Sequence, residues 1–433
     1  MLSPIDRLSE SKRLRRKVAR RILPFVFILY VAAYLDRTNL SFVRLPMSEE
    51  LGFSEGVYGV GSGIFFLGYF VLQIPGALIV ERWGARRWIS SILITWGLVT
   101  ALFAFVRTPE QFYAGRFLLG VAQAGFFPGV VVYLTRWFRQ SDRSRAMAGF
   151  MVGSPVSLAI GGPLSALMLQ VQWFHLSAWR WVFILQGLPT VLLGALTFWY
   201  LADSPRTAHW LESPERRAIQ DALDLETGHR PSSSLAWWSA LRDPNVFVLC
   251  LAYSLINMAG YGYIFWLPST VRTTLHLAAG AADAVSCLPW AMAVVVIWLA
   301  GRSSDSTGQP KLHACVPLLC GGVFFALSAA PGQPAWLVFA WVCLTGAIAV
   351  FGWMPGFWML PTSISAGPAR AASVGLINSV GNLGGFLGPA VIGYSRTHFE
   401  PTYSLVLIVS LSWLAAALLT SLVKAPPKPP STV

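Results

Sequence analysis

Apolar runs long enough to cross a bilayer recur along the chain, and no other feature limits its fold as severely. Taken between short polar turns, twelve of them begin near residues 22, 57, 88, 110, 146, 179, 245, 283, 312, 335, 371 and 403. About 20 apolar residues at helical rise cover the hydrocarbon core, where each backbone polar group must find its partner inside the protein. Helices meet that demand within one segment, so the expectation is an all-α membrane protein. A longer polar stretch divides the spans six and six. The expected units are an N-terminal bundle over 1–202, a cytoplasmic linker over 203–243, and a C-terminal bundle with a short tail over 244–433. With 55% hydrophobic and 12% charged residues, the 433-residue chain is too apolar for a soluble protein.

The net charge of +13 does not point to nucleic acid, because the bases sit in short clusters between apolar runs. Of 32 Lys and Arg residues, 25 lie at the start, in the loops after even-numbered spans, and in the tail. Five, Arg44, Arg107, Arg180, Arg272 and Arg396, lie on the opposite side, and Arg37 and Arg116 fall inside spans. Cytoplasmic loops carry the excess of Lys and Arg, so both termini are expected in the cytoplasm and the protein in the inner membrane. The basic start is followed by a long apolar run without a small-residue cleavage site, which reads as an uncleaved first span. The five cysteines lack metal-ligand spacing, and no nucleophile–base pair or nucleotide loop is present at membrane depth. Neither an enzyme nor a metal- or cofactor-binding protein is expected.

The halves repeat. Gly125-Phe-Phe-Pro128-Gly129 in the fourth span recurs as Gly352-Trp-Met-Pro355-Gly356 in the tenth, 227 residues later. Gly161-Gly162-Pro163 in the fifth is echoed by Gly384-Gly385 and Gly388-Pro389 in the eleventh. Duplicated six-helix halves are a transporter architecture with the site between the halves near the midplane. The same offset places Tyr34 on Tyr261, Asp36 on Tyr263, Arg116 on Cys343 and Gln123 on Val350. The second half is thus expected to hold essentially no buried acid or base, with the chemistry centred on the first.

That chemistry begins at Asp36-Arg37, an acid and a base side by side within an apolar segment. An ionised side chain at that depth faces a wet cavity or a partner, because lipid contact costs at least a few kcal/mol. Neighbours on a helix point about 100° apart, so each must look to other helices. Arg116 lies mid-span in an otherwise uncharged run, leaving one positive charge in excess over Asp36. Such a site favours an anion, and guanidinium offers the planar fork that suits a carboxylate. Asn378 and Asn382, four apart on one helical face, can reach a substrate or bridge helices. Tyr34, Tyr261, Tyr263, Phe265 and Trp266 crowd the same helices, either to stack on substrate or to pack. In the loop after the second span, Glu81, Arg82, Gly84, Arg86 and Arg87 place an acid among bases at a helix junction, with Asp305 in the corresponding later loop. Such groups can latch helix ends in one state and release them in another.

That loop, from Gly76 to Arg87, resembles the cytoplasmic motif of the major facilitator superfamily, with glutamate at a position often aspartate. Asp36-Arg37-Thr-Asn39, Gln73-Ile-Pro75-Gly76, Gly115-Arg116-Phe-Leu-Leu-Gly120, Phe265-Trp266-Leu-Pro268 and the run from Asn378 to Pro389 together are similar to its anion:cation symporter family. The Glu81 version of the loop is most similar to tartrate, phthalate and aromatic-acid permeases. The resemblance implies twelve transmembrane helices in two pseudo-symmetric six-helix bundles, acting as a monomer that imports organic anions by proton symport. It also implies Arg37 and Arg116 on the substrate carboxylate, Tyr69 hydrogen-bonding it, and Asp36 taking the proton.

Two departures stand out. The family's Ala-Glu-Ala-Gly glutamate is Gln123, and a second family glutamate is Gln186. Glutamine keeps the hydrogen bonding but carries no proton. Coupling through Asp36 alone, an uncoupled facilitator or exchanger, or arrested transport all remain open. A drug exporter and a non-transporting nutrient sensor are the rival classes; the surplus positive charge and the short tail speak against each in turn.

Overall fold

The computed structural model describes residues 4–224, 242–364 and 367–423, and among these every regular element is a helix. Most of the expected linker, 225–241, and the tail from 424 lie outside the described residues. The first bundle comprises α1 (Pro4–Leu51), α2 (Glu55–Trp83), α3 (Ala85–Phe103), α4 (Pro109–Gln123), α5 (Phe126–Thr135), α6 (Gln140–Met151), α7 (Gly153–Met168) and α8 (Ala178–Tyr200). Helix α9 (Ser213–Asp224) lies within the range expected as the linker. The second bundle comprises α10 (Pro244–Leu275), α11 (Ala279–Val285), α12 (Leu288–Thr307), α13 (Pro310–Leu327), α14 (Ala335–Ala349), α15 (Met354–Phe357), α16 (Met359–Ile364), α17 (Gly367–His398) and α18 (Pro401–Leu422).

Eleven helical segments among the described residues are long and apolar enough to cross a membrane. The expected third span corresponds to α3, whose first turn carries Arg86 and Arg87 and which packs along α8. Large apolar side chains face outward and are more than half exposed, Leu192, Trp199, Trp298 and Leu407 among them, a surface suited to lipid and not to water.

In each of the four spans built from more than one helix a proline follows the break, although prolines such as Pro75 and Pro189 lie inside continuous helices. A helical proline lacks the N–H and clashes with the carbonyl four residues earlier. The breaks fall about that distance ahead of Pro128, Pro155, Pro289 and Pro355, at 124–125, 152, 286–287 and 350–353. The breaks before Pro128 and Pro355 occupy equivalent places in the fourth and tenth spans, so the repeat at 227 residues is a repeat of backbone geometry.

Lys17 pairs with Glu215 of α9 at 2.7 Å, and Lys311 donates to the Val423 carbonyl at 2.9 Å; both mark the face that carries the linker. The opposite, far face gathers the end of α1, the start of α2 and the end of α17. Within a bundle, backbones approach closely: a Cβ on Gly97 of α3 would lie 2.7 Å from the Gly187 carbonyl of α8. Small residues permit that contact where lipid supplies no hydrophobic drive.

Candidate functional site

The first bundle wraps Asp36 in neutral donors. Its Oδ1 accepts from Thr100 Oγ1 of α3 at 2.7 Å and from Asn39 Nδ2 at 3.4 Å, and its Oδ2 accepts from Gln123 Nε2 of α4 at 2.6 Å. Asp36, Asn39 and Gln123 are each buried to 1% exposure. The Asn39 amide also donates to Gln186 Oε1 of α8 at 3.0 Å. This arrangement supplies the physical account of Gln186: a glutamate there would add a second negative charge across the Asn39 amide from Asp36. With glutamine at both 123 and 186, Asp36 is the sole carboxylate of the network.

No arginine satisfies it directly. Among the described residues Asp36 makes no ion pair. Arg116 is wholly buried; its Nε donates to the Gly61 carbonyl of α2 at 3.3 Å, while Nη1 and Nη2 have no hydrogen-bond partner. Its guanidinium carbon lies 5.1 Å from the Phe65 ring centre. Arg37 turns the other way, toward the second bundle, where Nη1 donates to Tyr261 Oη at 3.4 Å. The rings of Tyr69, Phe65 and Tyr34 surround it at 5.0, 5.4 and 5.6 Å, and its Nε is unpartnered. Two guanidiniums against one carboxylate leave a unit of positive charge in a poorly hydrated interior. A buried charge without a partner costs several kcal/mol, so unpaired donors of this kind are places where an anion is stabilised.

Toward the far face the site is closed. Phe66 of α2 packs on Tyr261 with ring centres 4.3 Å apart, and Tyr261 in turn on Phe265 at 6.1 Å. Above this aromatic layer Tyr58 Oη donates to the Phe265 carbonyl at 3.2 Å. Glu55 then ties three helices: it pairs with Arg44 of α1 and with Arg396 of α17 at 3.2 Å, and accepts from Trp266 Nε1 of α10 at 3.0 Å. Arg44 also reaches Ser269 Oγ of α10 at 2.5 Å. Beside this latch a Cβ on Gly59 would sit 2.3 Å from the Pro389 carbonyl, so α2 and α17 touch through backbone.

The structure brings together Asp36, Arg37, Arg116, Gln123, Tyr34, Tyr69 and Tyr261. Asn382 sits one level nearer the linker face and donates to Gln73 Oε1 across the bundles at 3.4 Å; Asn378, half-buried, lies one turn before it on the same helix. Tyr263 lies elsewhere. Its hydroxyl donates to the Val342 carbonyl at 2.7 Å inside the second bundle, among Trp290, Phe325 and Trp413. Symmetry accounts for that, since position 263 answers to the interior position of Asp36. The expectation that the second half holds essentially no buried acid is corrected by Asp283 of α11, which is 3% exposed. Sequence reading missed Thr100 and Glu55: a threonine in an apolar run and an acid at a helix start are both commonplace.

In the loop motif, Gly84 adopts φ 84°, a region glycine enters freely, between α2 and α3. Asp203 Oδ1 accepts from the Arg86 backbone N–H at 2.8 Å, capping α3, and a Cβ on Gly84 would come within 2.9 Å of it. The Arg86 guanidinium carbon lies 4.6 Å from the Phe198 ring centre, and Arg82 and Arg87 are exposed. The side chains of Glu81 and Asp305 lie outside those the structure describes.

Residues 26–389 match the family model described as Major Facilitator Superfamily. A protein of Agrobacterium vitis named as a putative tartrate transporter is 38% identical over 387 residues, covering 89% of this chain and 88% of its own. A quinolone resistance transporter of Acinetobacter baumannii is 34% identical over 420 residues, with 95% and 94% covered. The crystal structure of a bacterial homologue of the human lysosomal transporter Spinster, inward-facing and unoccupied, superposes with a TM-score of 0.73 at 18% identity over 95% of both chains.

Proposed function

Since the chain belongs to the Major Facilitator Superfamily, we propose that it imports a small organic anion across the inner membrane by alternating access, driven by protons. Both termini are cytoplasmic in this reading, so the linker face is the cytoplasmic one and the protein acts as a monomer. The bundles over 1–202 and 244–433 rock about the site, joined by 203–243. The observation that carries the reading is Arg116: two guanidinium nitrogens, fully buried and without hydrogen-bond partners, in an interior whose single carboxylate is already satisfied by neutral donors. Arg37 and Arg116 hold the substrate carboxylate, Tyr69 and Tyr261 fix its orientation, and Tyr34 packs beside them. Asn378 and Asn382 contact the polar remainder of the substrate from the second bundle. Asp36 accepts the proton. Glu81, Arg82, Gly84, Arg86, Arg87 and Asp305 gate the cytoplasmic ends.

The relative named for tartrate supports a carboxylate as cargo. The relative named for quinolone resistance supports a drug exporter as rival, and the net positive site favours anions over lipophilic cations. The Gln123–Asp36 contact supports a second reading, an uncoupled facilitator. Gln123 donates to Asp36 but has no proton of its own to pass to it, whereas a glutamate at 123 would share one with it.

Uptake of radiolabelled organic acids into proteoliposomes, with and without an inward proton gradient, tests both. Accumulation of hydroxy diacids or aromatic acids under the gradient is the expected result. Exchange without accumulation, with accumulation restored by Gln123→Glu, would establish the facilitator instead. Transport of uncharged or cationic compounds and of no carboxylate would overturn the assignment.

A further inference from the structure

Among the described residues, Phe65 of α2 is the one ring that both site arginines share. The guanidinium carbon of Arg116 lies 5.1 Å from its centre and that of Arg37 lies 5.4 Å from it. Arg37 also meets the rings of Tyr69 and Tyr34, whereas Phe65 is the only ring that Arg116 meets. Phe65 and Arg116 are both wholly buried. The nitrogens that would answer such charges with hydrogen bonds do not: Nη1 and Nη2 of Arg116 and Nε of Arg37 have no partner. The one carboxylate nearby already accepts from Thr100, Asn39 and Gln123.

The ring is placed by backbone. A Cβ on Gly120 of α4 would lie 1.9 Å from the Phe65 carbonyl, and one on Gly68 of α2 would lie 2.2 Å from the Phe117 carbonyl. Helices α2 and α4 therefore touch main chain to main chain one turn beyond Arg116. Phe66 packs against the ring nearly at right angles, with centres 5.1 Å apart, and Tyr69 lies 6.0 Å away. An ordinary core phenylalanine would account for this burial but not for two cations at its face. An aromatic face carries negative potential and attracts a cation over it, most strongly where water is excluded.

We propose that Phe65 is a positioning residue of the anion site: in the empty carrier its ring stands in for the cargo, holding the Arg37 and Arg116 guanidiniums, and the arriving carboxylate takes them from it. The inference rests on the organic-anion reading and adds to it what steadies two cations between turnovers. A guanidinium paired with a carboxylate presents less net charge to the ring, so the ring stabilises the empty site more than the loaded one. It thereby competes with the cargo and eases its release. Weakening the potential of the ring face while keeping its shape should tighten anion binding.

Fluorinated phenylalanines at position 65 of the full chain in nanodiscs test this, because fluorine withdraws electron density from the ring face and adds little bulk. Over one, two and three ring fluorines, affinity for hydroxy diacids or aromatic acids is expected to rise stepwise, by about tenfold in all, in calorimetric titration. The melting temperature of the empty carrier is expected to fall along the series, and that of the acid-saturated carrier to fall less. Para-methylphenylalanine at 65 adds bulk without withdrawing electrons and should not tighten binding. The same fluorines at Phe325, a buried ring packed on Tyr263 and Trp413, should leave acid affinity unchanged. Affinity that stays flat or weakens with fluorination at 65, or a rise that para-methylphenylalanine reproduces, would overturn the proposal and leave the organic-anion reading in place. Absence of acid binding in the unsubstituted chain would overturn that reading and the stand-in role with it, so this first titration tells the two failures apart.

Discussion

The amide of Asn39 touches both Asp36 and Gln186, and with Gln123 and Thr100 it surrounds the one carboxylate with neutral donors. The charged residues at the centre were legible in the sequence because an ionised group is rare in an apolar run. Their partners were not, since Thr100 resembles any threonine in a span and becomes meaningful only once α3 is packed against α1. Gln186 differs again: its departure from the family pattern was visible, and its reason appears only in the folded network. Arg116→Ala is expected to weaken anion binding at least about 30-fold, the low end for truncating one side of a buried charged contact. Its melting temperature should be unchanged or higher, since the substitution removes an unpaired buried charge. Calorimetric titration alongside thermal unfolding measures both; full binding by the alanine variant would end the carboxylate role of Arg116. Asp36→Asn is expected to bind substrate and to lose gradient-driven accumulation, and accumulation that survives it would move the transport proton elsewhere.

The places of the spans were legible in their apolar runs, whereas the breaks ahead of Pro128, Pro155, Pro289 and Pro355 were not, since Pro24, Pro75, Pro189 and Pro389 lie inside unbroken helices. What also escaped was which helices meet across the bundles, a matter of tertiary placement. Nothing in the sequence sets Gly59 of α2 apart from other small residues in membrane helices, yet it lets α2 lie on the backbone of α17. Gly59→Ala should wedge these helices apart at the far face, because a Cβ 2.3 Å from a carbonyl oxygen must displace it. The pair Gly56→Cys and Thr397→Cys offers a readout, since a Cβ at 56 would lie 3.5 Å from Thr397 Oγ1. In a background without native cysteines this pair should cross-link readily, and Gly59→Ala should lower the yield several-fold. An unchanged yield would show that the seam accommodates the methyl group.

The molecule as a whole is held shut at the far face by Glu55, which joins α1, α10 and α17 to α2. It escaped notice in the sequence because an acid after Ser54 reads as an ordinary helix start, and its three partners lie 11, 211 and 341 residues away. Glu55→Gln keeps the side-chain size but loses both ion pairs. The far-open population should rise about tenfold or more, since about 1.4 kcal/mol of differential stabilisation suffices for that shift. Spin-label distances across the far-face ends of α2 and α17 measure it, and an unchanged distribution would mean that the aromatic layer beneath holds the closure alone. The surplus guanidinium of the site has an electrical consequence. With Asp36 ionised, the empty carrier holds one positive charge inside the membrane, and reorienting it across the field is worth up to about 2.3 kcal/mol per 100 mV. An interior-negative voltage holds the empty carrier with its site toward the cytoplasm. A bound monoanion cancels that charge and a dianion reverses it, so the valence of the cargo decides which half of the cycle the voltage opposes. A voltage step applied without substrate should therefore draw a transient current, and at a pH that keeps Asp36 ionised a saturating monoanion should abolish it.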